Sequence, residues 1–361
     1  MCKMSNIFRG FNEVFKNPDA VGLFADSPIG LSTNTLQQEM YGINFSSYTS
    51  KLLPNTDHYG YLFFTRPQFN LTDGNMNMDP RMHSYMRNDP NDPLTAIRCY
   101  LDPRLATLHM TNNLQGKIFS HMVDDSNPFI SILSNTCISL TGWPDRSIDD
   151  YETVPDVLKG SRAMVAGTDR FHGTFNLSAT FADRMGSITQ RLFHLYMMYM
   201  GNTKWGLMYP YPDLVFNGET DYDMRIYRLI VDSRRRTVKD IFCCGAAFPT
   251  VDTTPSIADY DTEIPVNERN KEFSINFKCS AFFQSETALI HQFNDTVGKF
   301  NTDMLLADQD DESPDQVVRG LANGSIIKLD TEDLRRQYLY ASIPRINPVT
   351  MELELYARTS Q

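Results

Sequence analysis

TFNLSATF, residues 174–181, is the stretch that decides the fold, together with EFSINFKCSA at residues 272–281. Apolar residues occupy every second position of the first stretch, from Phe175 to Phe181, with Thr, Asn and Ser between them. The second stretch alternates in the same way, and Phe277 is one of its apolar residues. Because neighbouring side chains of a strand point to opposite faces, both stretches predict strands with one buried and one polar face.

A helix is predicted directly after the first strand. Ser187 and Gln190 have the spacing of a capping box, in which a serine hydroxyl and a glutamine amide bond the free backbone N–H groups. The apolar pattern that follows predicts a widely buried helix to about Met200, and Gly201 is a residue type that ends helices. At nine residues, the apolar run Leu192–Met200 is too short to span a membrane.

A hairpin is predicted next, with arms at residues 222–231 and 237–247 and a turn at residues 232–236. The turn contains three consecutive arginines. In a chain with 33 basic and 44 acidic residues, they are interpreted as a solvated tip or a salt-bridge contact to a neighbouring subunit, in preference to a DNA contact.

The flanking regions give less regular patterns. Residues 59–64, YGYLFF, predict a strand, and residues 286–299 predict a helix. A loop is predicted at residues 72–93, and its four methionines either fill gaps or contact a partner: Met76, Met78, Met82 and Met86. Five acids within residues 308–315 indicate a linker. The predicted division is an N-terminal extension (1–125), a central β domain (126–300) and a C-terminal extension (301–361).

Composition excludes several classes of protein. The formal net charge of −11 is opposite to that of a typical duplex-binding protein. Six cysteines include no CxxC pair, which favours buried thiols in a reducing compartment over a zinc site. The seven histidines show neither HxH nor HExxH spacing, and GxSxG, P-loop and GxGxxG motifs are absent. We therefore predict no catalytic, cofactor-binding or metal-binding residue, no cofactor, and no enzyme.

The order of the elements resembles the tail-tube superfamily of contractile phage tails, which includes the tube subunit of type VI secretion systems. The resemblance spans residues 127–284. Ala247-Phe248-Pro249-Thr250 matches the family's aromatic-Pro-Ser/Thr turn, Asp259-Tyr260-Asp261 lies in the acidic loop that follows, and Phe273–Phe277 matches the closing strand. It implies an α+β, mainly β fold: a tail-tube-like sandwich or barrel with one packed helix, a long hairpin and extensions at both ends.

The resemblance also implies a function. The chain is expected to be a structural subunit of a phage tail, forming a homohexameric ring of the tail tube or of the tube–baseplate junction. The expected partners are adjacent rings, sheath, baseplate and tape-measure protein. DNA would pass through an acidic lumen without specific binding, and the polar faces of strands 174–181 and 272–281 are candidates to line it. The protein would reside in the virion tail after assembly in the host cytoplasm.

Long flanks distinguish this chain from a simple tube subunit. They leave open a tube-initiator ring, a tube terminator, the repeating tube of a very large phage, or another virion role such as neck, collar or decoration. A tail-associated cell-wall hydrolase is the enzymatic alternative. Paired acids such as Asp124-Asp125 are interpreted as solvated loop residues, and His194 as a satisfied, partly buried helix residue.

Overall fold

The fold is described from a computed structural model that covers most of the chain. The described residues are 60–105, 118, 120–145, 148–155, 160–167, 173–184, 186–232, 236–255, 262–263, 271–284, 287–306, 318–329 and 342–359. The interpretations of residues 1–58, 259–261, 308–315 and 331–338 lie outside these ranges.

Strands and helices alternate irregularly along the described chain. The strands are β1 (Gly60–Phe64), β2 (Cys137–Thr141), β3 (Asp150–Glu152), β4 (Ala163–Val165), β5 (Thr174–Ala182), β6 (Met224–Val231), β7 (Val238–Pro249), β8 (Glu272–Gln284), β9 (Ile326–Lys328), β10 (Ile343–Ile346) and β11 (Leu353–Arg358). The helices are α1 (Asp73–Met76), α2 (Pro93–Leu101), α3 (Ser131–Thr136), α4 (Ile188–Trp205), α5 (Pro212–Asn217), α6 (Thr287–Phe300) and α7 (Arg319–Asn323), with 3-10 turns at Pro80–Tyr85 and Thr302–Met304.

One antiparallel sheet organises the molecule, in the order β1-β6-β7-β8-β5-β2. It curves into a nearly closed barrel. Phe64 of β1 lies 6.0 Å from Phe181 of β5 between ring centroids, although three strands separate β1 from β5 in the sheet. Residues 129–136 occupy the remaining gap, since Phe129 forms a bridge with Thr65 and α3 then leads into β2. The predicted mainly β, α+β tail-tube-like fold is confirmed.

The alternation in β5 and β8 is confirmed. Leu177, Ala179 and Phe181 of β5 and Phe277 of β8 are fully buried, whereas the residues that alternate with them are exposed or half-buried. The two strands pair directly, with Leu177 opposite Phe277. Their apolar faces therefore form one surface inside the barrel. Helix α4 packs against this surface through Phe193, which is buried and whose ring centroid lies 5.4 Å from that of Phe181.

The predicted helix exists and begins at Ile188 with Ser187 as its N-cap residue, as expected, but the capping-box hydrogen bond and the predicted C-terminal end are wrong. Ser187 has φ 49°, forms no cap hydrogen bond, and donates its hydroxyl to Asp183 at 3.0 Å. α4 continues through Gly201 to Trp205 and ends at Gly206, which has φ 74°. It continues because Asn202 is buried and donates to Asp79 at 2.7 Å, which fixes an extra turn of helix.

The hairpin is also confirmed, whereas the aromatic-Pro-Thr turn is not. β6 and β7 pair antiparallel, and Phe248 and Pro249 still belong to β7, opposite Lys278 and Phe277 of β8. Thr250 donates its backbone N–H to Asn276 at 2.8 Å. Proline is tolerated here because the pairing of β7 with β6 ends at Ala247, opposite Met224, so no β6 residue requires an N–H donor at position 249.

Two hydrophobic cores lie on opposite faces of the sheet. The first lies within the barrel and includes Phe64, Phe181, Phe193 and Phe277. The second lies where α6 and the three-stranded sheet β10-β11-β9 cover β1, β6 and β7, and it includes Phe293. One barrel wall thus separates two cores, and sequences from both flanks contribute to them.

The alternation inverts half-way along β7 and β8. Ala281, predicted to point inward with Cys279, is half-buried and has φ 57°, and a Cβ on Gly245 would lie 3.1 Å from the Ala281 Cβ. Cys279 belongs to the first core, yet Phe283 packs against the second. The left-handed backbone at Ala281 and the close approach of Gly245 permit this inversion. One half of each strand therefore contributes side chains to one core, and the other half contributes side chains to the other core.

Both flanks of the predicted central domain join this architecture. β1 pairs with β6 from Gly60 opposite Ile230 to Phe64 opposite Ile226. At the other end of the chain, Leu353 donates its backbone N–H to Arg236 at 2.9 Å, beside the turn of the hairpin. The Arg236 side chain forms an ion pair with Glu352 at 3.2 Å, so this arginine has a partner within its own chain. The division at residues 125 and 300 stays a prediction.

Candidate assembly surfaces

The outer face of β2, β5 and β8 is the first candidate surface, because neither core covers it. It presents hydroxyl and amide side chains, and Thr180 and Ser274 share a hydrogen bond of 3.0 Å between their Oγ atoms. The outward residues are Ser139, Thr141, Thr174, Asn176, Ser178, Thr180, Glu272, Ser274, Asn276, Lys278 and Ser280. One acid and one base stand among them. This open polar face is therefore electrically balanced.

The second candidate surface is the β3–β4 ribbon, which follows β2 and precedes β5 in the sequence. Within the part of the chain that the structure describes, its two strands pair with each other and with no further strand, and all six of their residues are exposed. Apolar side chains are exposed along it and its flanks: Ile148 60%, Tyr151 49%, Val154 89%, Met164 39% and Val165 71%. A two-stranded ribbon is marginally stable by itself in water, so these residues are suited to being covered by another surface.

The third candidate surface is an aromatic patch between the end of α4 and the start of β6. Its members are Trp205 (84% exposed), Leu207 (48%), Tyr209 (62%), Val215 (61%) and Phe216 (89%). Together they expose roughly 400–600 Å² of apolar surface, the size of the largest patch on a typical monomer. The sequence contains a signal for this patch that the pattern analysis misses, since residues 205–216 hold four aromatic residues and two prolines.

Polar contacts, both buried and exposed, hold the aromatic patch against the N-terminal part of the chain. Tyr211 donates its hydroxyl to Asp102 Oδ2 at 2.9 Å, and the same oxygen accepts the Leu71 backbone N–H at 2.8 Å. Arg104 donates to both carboxylate oxygens of Asp213, at 2.8 and 2.7 Å. The exposed aromatic side chains therefore stand on a fixed base, as they would in a prepared interface.

The stability of the protein should depend on pH through Asp102, which supports the aromatic patch. Burial raises the pKa of the Asp102 carboxyl to about 6, although hydrogen bonds from Leu71, Tyr211 and Arg104 oppose the shift. The unfolded chain binds this proton less tightly, with a pKa of about 3.9. Stability from this group is therefore complete below about pH 4 and decreases by roughly 2–3 kcal/mol as the pH rises to about 6.

Urea unfolding of the wild type and of Asp102→Asn at several pH values between about 4 and 7 measures this effect. The substituted chain should lack the decrease, because an amide does not titrate. Its lost hydrogen bonds would offset the whole curve without adding a slope. Equal slopes in the two proteins would contradict the prediction.

The side chains considered as catalytic candidates have structural partners. The His194 ring Nδ1 lies 2.7 Å from Asp252 Oδ2, and the His194 side chain is 37% exposed. Burial alone would raise the pKa of Asp252, but hydrogen bonds from His194 and Thr254 outweigh it and lower that pKa. Asp124 accepts from Ser126 at 2.9 Å. No group of metal-ligating side chains occurs among the described residues.

The methionines and cysteines are divided between the interior and the surface. Met76 and Met82 are fully buried in the first core, whereas Met78 is 59% exposed. The vicinal Cys243 and Cys244 are buried free thiols. None of the helices within the described ranges has both the length and the apolarity needed to cross a membrane.

Among the described residues, the barrel thus presents an uncovered polar face, an exposed ribbon and an aromatic patch. Comparison with known proteins gives the family. Residues 22–361 match the sequence profile of the family described as "Putative phage tail tube protein", and the chain belongs to this family. It therefore has a structural role in a phage tail. A search of curated proteins returned no match.

Among solved structures, the chain is similar to the tube-terminating cap of the anti-feeding prophage, with 14% identity and a TM-score of 0.24 over 41% of this chain and 78% of that one. It is also similar to the sheath/tube terminator of the PVC extracellular contractile injection system, with 13% identity and a TM-score of 0.23 over 42% and 85%. The PVC sheath–tube complex gives 12% identity and a TM-score of 0.23 over 44% and 82%. These TM-scores are too low to support an argument about this chain.

Proposed function

We propose that this chain forms a ring of the tail tube, or the ring at the tube–baseplate junction, and that DNA passes through the ring during infection. Membership of the tail tube family supports the tube. The observation that carries the lumen assignment is the open polar face of β2, β5 and β8. It is the one broad face of the barrel wall, among the described residues, that neither core covers.

The chemistry of this face suits a channel for DNA. Tight binding of the phosphate backbone requires several cations, whose contacts release counterions. Lys278 is the one cation among the outward residues of the face, and Glu272 balances it. Hydroxyl and amide groups keep the wall hydrated without holding the duplex in place. The net charge of −11 on the whole chain adds a weak repulsion.

The edges of the barrel supply the means of closing a ring. β1 and β2 are the terminal strands of the sheet, and β2 has no strand on its outer side within the described chain. An unpaired edge is a template for another strand, and joining subunits edge to edge removes it. By analogy with the family, six copies would form the ring.

The wider assembly follows from the same analogy. Rings would stack on one another and contact sheath, baseplate or tape-measure proteins, after assembly in the host cytoplasm. The regions 1–125 and 301–361 would add contacts specific to the ring's place in the tail. We place the protein in the tube in preference to neck or collar because its family is that of the tail tube.

Cysteine accessibility tests the lumen assignment. Asn276→Cys places a thiol on the open polar face, and Ile327→Cys, at a residue 41% exposed on β9, is the matched control away from it. In assembled tubes seen by negative-stain microscopy, a small maleimide should label both thiols, whereas a large polyethylene-glycol maleimide should label only the control. Dissociated subunits should be labelled at both positions by both reagents.

Two results would overturn the proposal. The first is equal labelling of both thiols by the large reagent in assembled tubes. The second is a purified chain that stays monomeric in the presence of its tail partners.

A further inference from the structure

We infer that residues 6–16 of this chain cover the aromatic patch of the same chain as an amphipathic helix. Among the described residues the patch is exposed, and hydrogen bonds of Asp102 and Arg104 hold its base in place. The segment 6–16, NIFRGFNEVFK, lies outside the described ranges and carries apolar residues of its own. The inference goes beyond the proposed function and does not depend on it.

The apolar residues of the segment recur with the spacing of one helix face. They are Ile7, Phe8, Phe11, Val14 and Phe15. On a helix of ~3.6 residues per turn, these positions fall within an arc of roughly 120°, and the charged residues fall outside it. Asn17-Pro18 follows directly, and a residue before proline disfavours the helical backbone, which sets an end to the helix. A helix this short is marginal by itself in water, so the segment needs a surface to fold against.

The apolar areas of the segment and the patch match. The patch exposes roughly 400–600 Å² of apolar surface. A phenylalanine side chain buries roughly 150–250 Å², so the three at positions 8, 11 and 15 are sufficient to cover it. Their i, i+3, i+7 spacing is the one by which a helix binds an apolar groove. Trp205 and Phe216, 84% and 89% exposed, are the side chains that these anchors would contact.

Charge favours the same pairing. The stretch Lys3–Lys16 contains three bases and one acid, in a chain whose net charge is −11. Residues 213–223, which include the end of the patch and the residues after it, contain four acids and no base, and Lys204 is the base at the other border. Burial and the neighbouring Asp221 raise the pKa of Asp223. A cation of the segment placed beside Asp223 would offset this cost.

The strand directions place the segment and the patch at opposite ends of the sheet. β1 and β5 both run opposite to β6, so they begin at the end of the sheet where β6 finishes. The segment therefore joins the barrel through Gly60 at one end, and the patch precedes Met224 at the other end.

The connecting chain is long enough to span this distance. At ~3.3 Å per residue, β6 is roughly 23 Å long. A flexible chain with the length of residues 17–59 has a root-mean-square end-to-end distance of roughly 33–39 Å. The effective concentration of a tethered segment is highest when the tether and the span are of similar length. Docking within one chain is therefore favoured over docking on a second copy.

The cover would act on the free subunit. An exposed apolar patch of this size is prone to association with other proteins. A segment of the same chain that occludes the patch would delay such association until a competing surface displaces it.

Tryptophan fluorescence tests the cover in the full-length, unassembled chain. Trp143 and Trp205 are its two tryptophans, and Trp143→Phe leaves Trp205 as the reporter. In that background, Phe11→Asp places a charge on the apolar face of the segment and should raise the acrylamide quenching constant of Trp205 by more than ~twofold. Asn12→Asp adds the same charge to the polar side and is the matched control, which should leave the constant unchanged. Circular dichroism should show the same barrel in both variants.

Cross-linking provides an independent readout and identifies the occupant. One chain carries Asn12→Cys and Asn217→Cys, the latter at an exposed residue beside Phe216. Cys2→Ser and Cys137→Ser are included, since the thiols at positions 99, 243, 244 and 279 are buried. A short bis-maleimide should link the two introduced thiols within one chain, so that the product migrates as a monomer in a denaturing gel.

The matched control for cross-linking pairs Asn12→Cys with Ile327→Cys, at a residue 41% exposed on β9, and should not link. Equal quenching of Trp205 in Phe11→Asp and Asn12→Asp would overturn the inference. An absence of links to position 217 would do so too, as would links only between chains, which would assign the patch to a second copy. A chain that passes these tests but forms no rings would overturn the proposed function and leave the cover intact.

Discussion

Replacement of Phe277 by alanine is expected to lower the free energy of unfolding by about 3–5 kcal/mol. Phe277 is fully buried in the first core. Its ring lies 5.8 Å from Phe193 of α4 and 6.1 Å from Phe64 of β1, measured between centroids. Truncation removes the packing among β8, α4 and β1 at once, and the surrounding barrel wall restricts collapse into the cavity.

Chemical denaturation monitored by circular dichroism measures this loss, with Asn276→Ala as the matched control. Asn276 is the neighbouring residue on the exposed face of β8, and the contact that β8 makes there with Thr250 uses its backbone carbonyl, which alanine retains. The control should change stability by less than ~0.5 kcal/mol. A loss under about 1 kcal/mol for Phe277→Ala would show that the inward face of β8 is wrongly assigned.

Arg66→Met is expected to cost about 3–5 kcal/mol as well, for an electrostatic reason. The Arg66 side chain is fully buried. Its guanidinium donates to the backbone carbonyls of Cys99, Tyr100 and Asn127 at 2.6, 3.1 and 3.2 Å. Burial lowers the pKa of Arg66, which reflects the cost of desolvating its charge, and the carboxylate of Asp125, 3.9 Å from the guanidinium, opposes the shift. Methionine fills much of the volume but leaves the carbonyls without a donor.

Arg66→Lys should recover only part of the loss, because an ammonium group lacks the fork of donors that reaches separated carbonyls. Arg236→Met is the control. Its side chain is 67% exposed in an ion pair with Glu352, so we expect a change within ~1 kcal/mol. Thermal unfolding of the three variants measures the loss of stability of each relative to the wild type. Equal effects of the Arg66 and Arg236 substitutions would refute the structural role of the buried guanidinium.

These two residues mark what sequence reasoning reached and what it missed. Phe277 was assigned to the inward face because period-two alternation is a local pattern that survives folding. Arg66 carried no such signal. It ends the YGYLFF strand, whose pairing with β6 joins residues more than 150 positions apart, and local patterns do not encode such distant partners.

The sequence pattern also does not predict how α4 begins and where it ends, because tertiary contacts determine both. Gly201 is a typical helix-ending residue, but tertiary contacts of Asn202 carry α4 past it to Gly206. Ser187 and Gln190 have capping-box spacing, yet the left-handed backbone at Ser187 directs its hydroxyl to Asp183. The sequence predicts only one of the candidate surfaces. The polar faces of β5 and β8 follow from alternation, whereas the ribbon and the aromatic patch acquire meaning only from their exposure.

The opposed starts of β5 and β6 have a consequence for how a tail could be built. If subunits add through unlike surfaces, the growing structure has polarity, and its two mouths are chemically distinct. Elongation could then proceed at different rates at the two mouths, and a single species that covers one of them would suffice to fix the length.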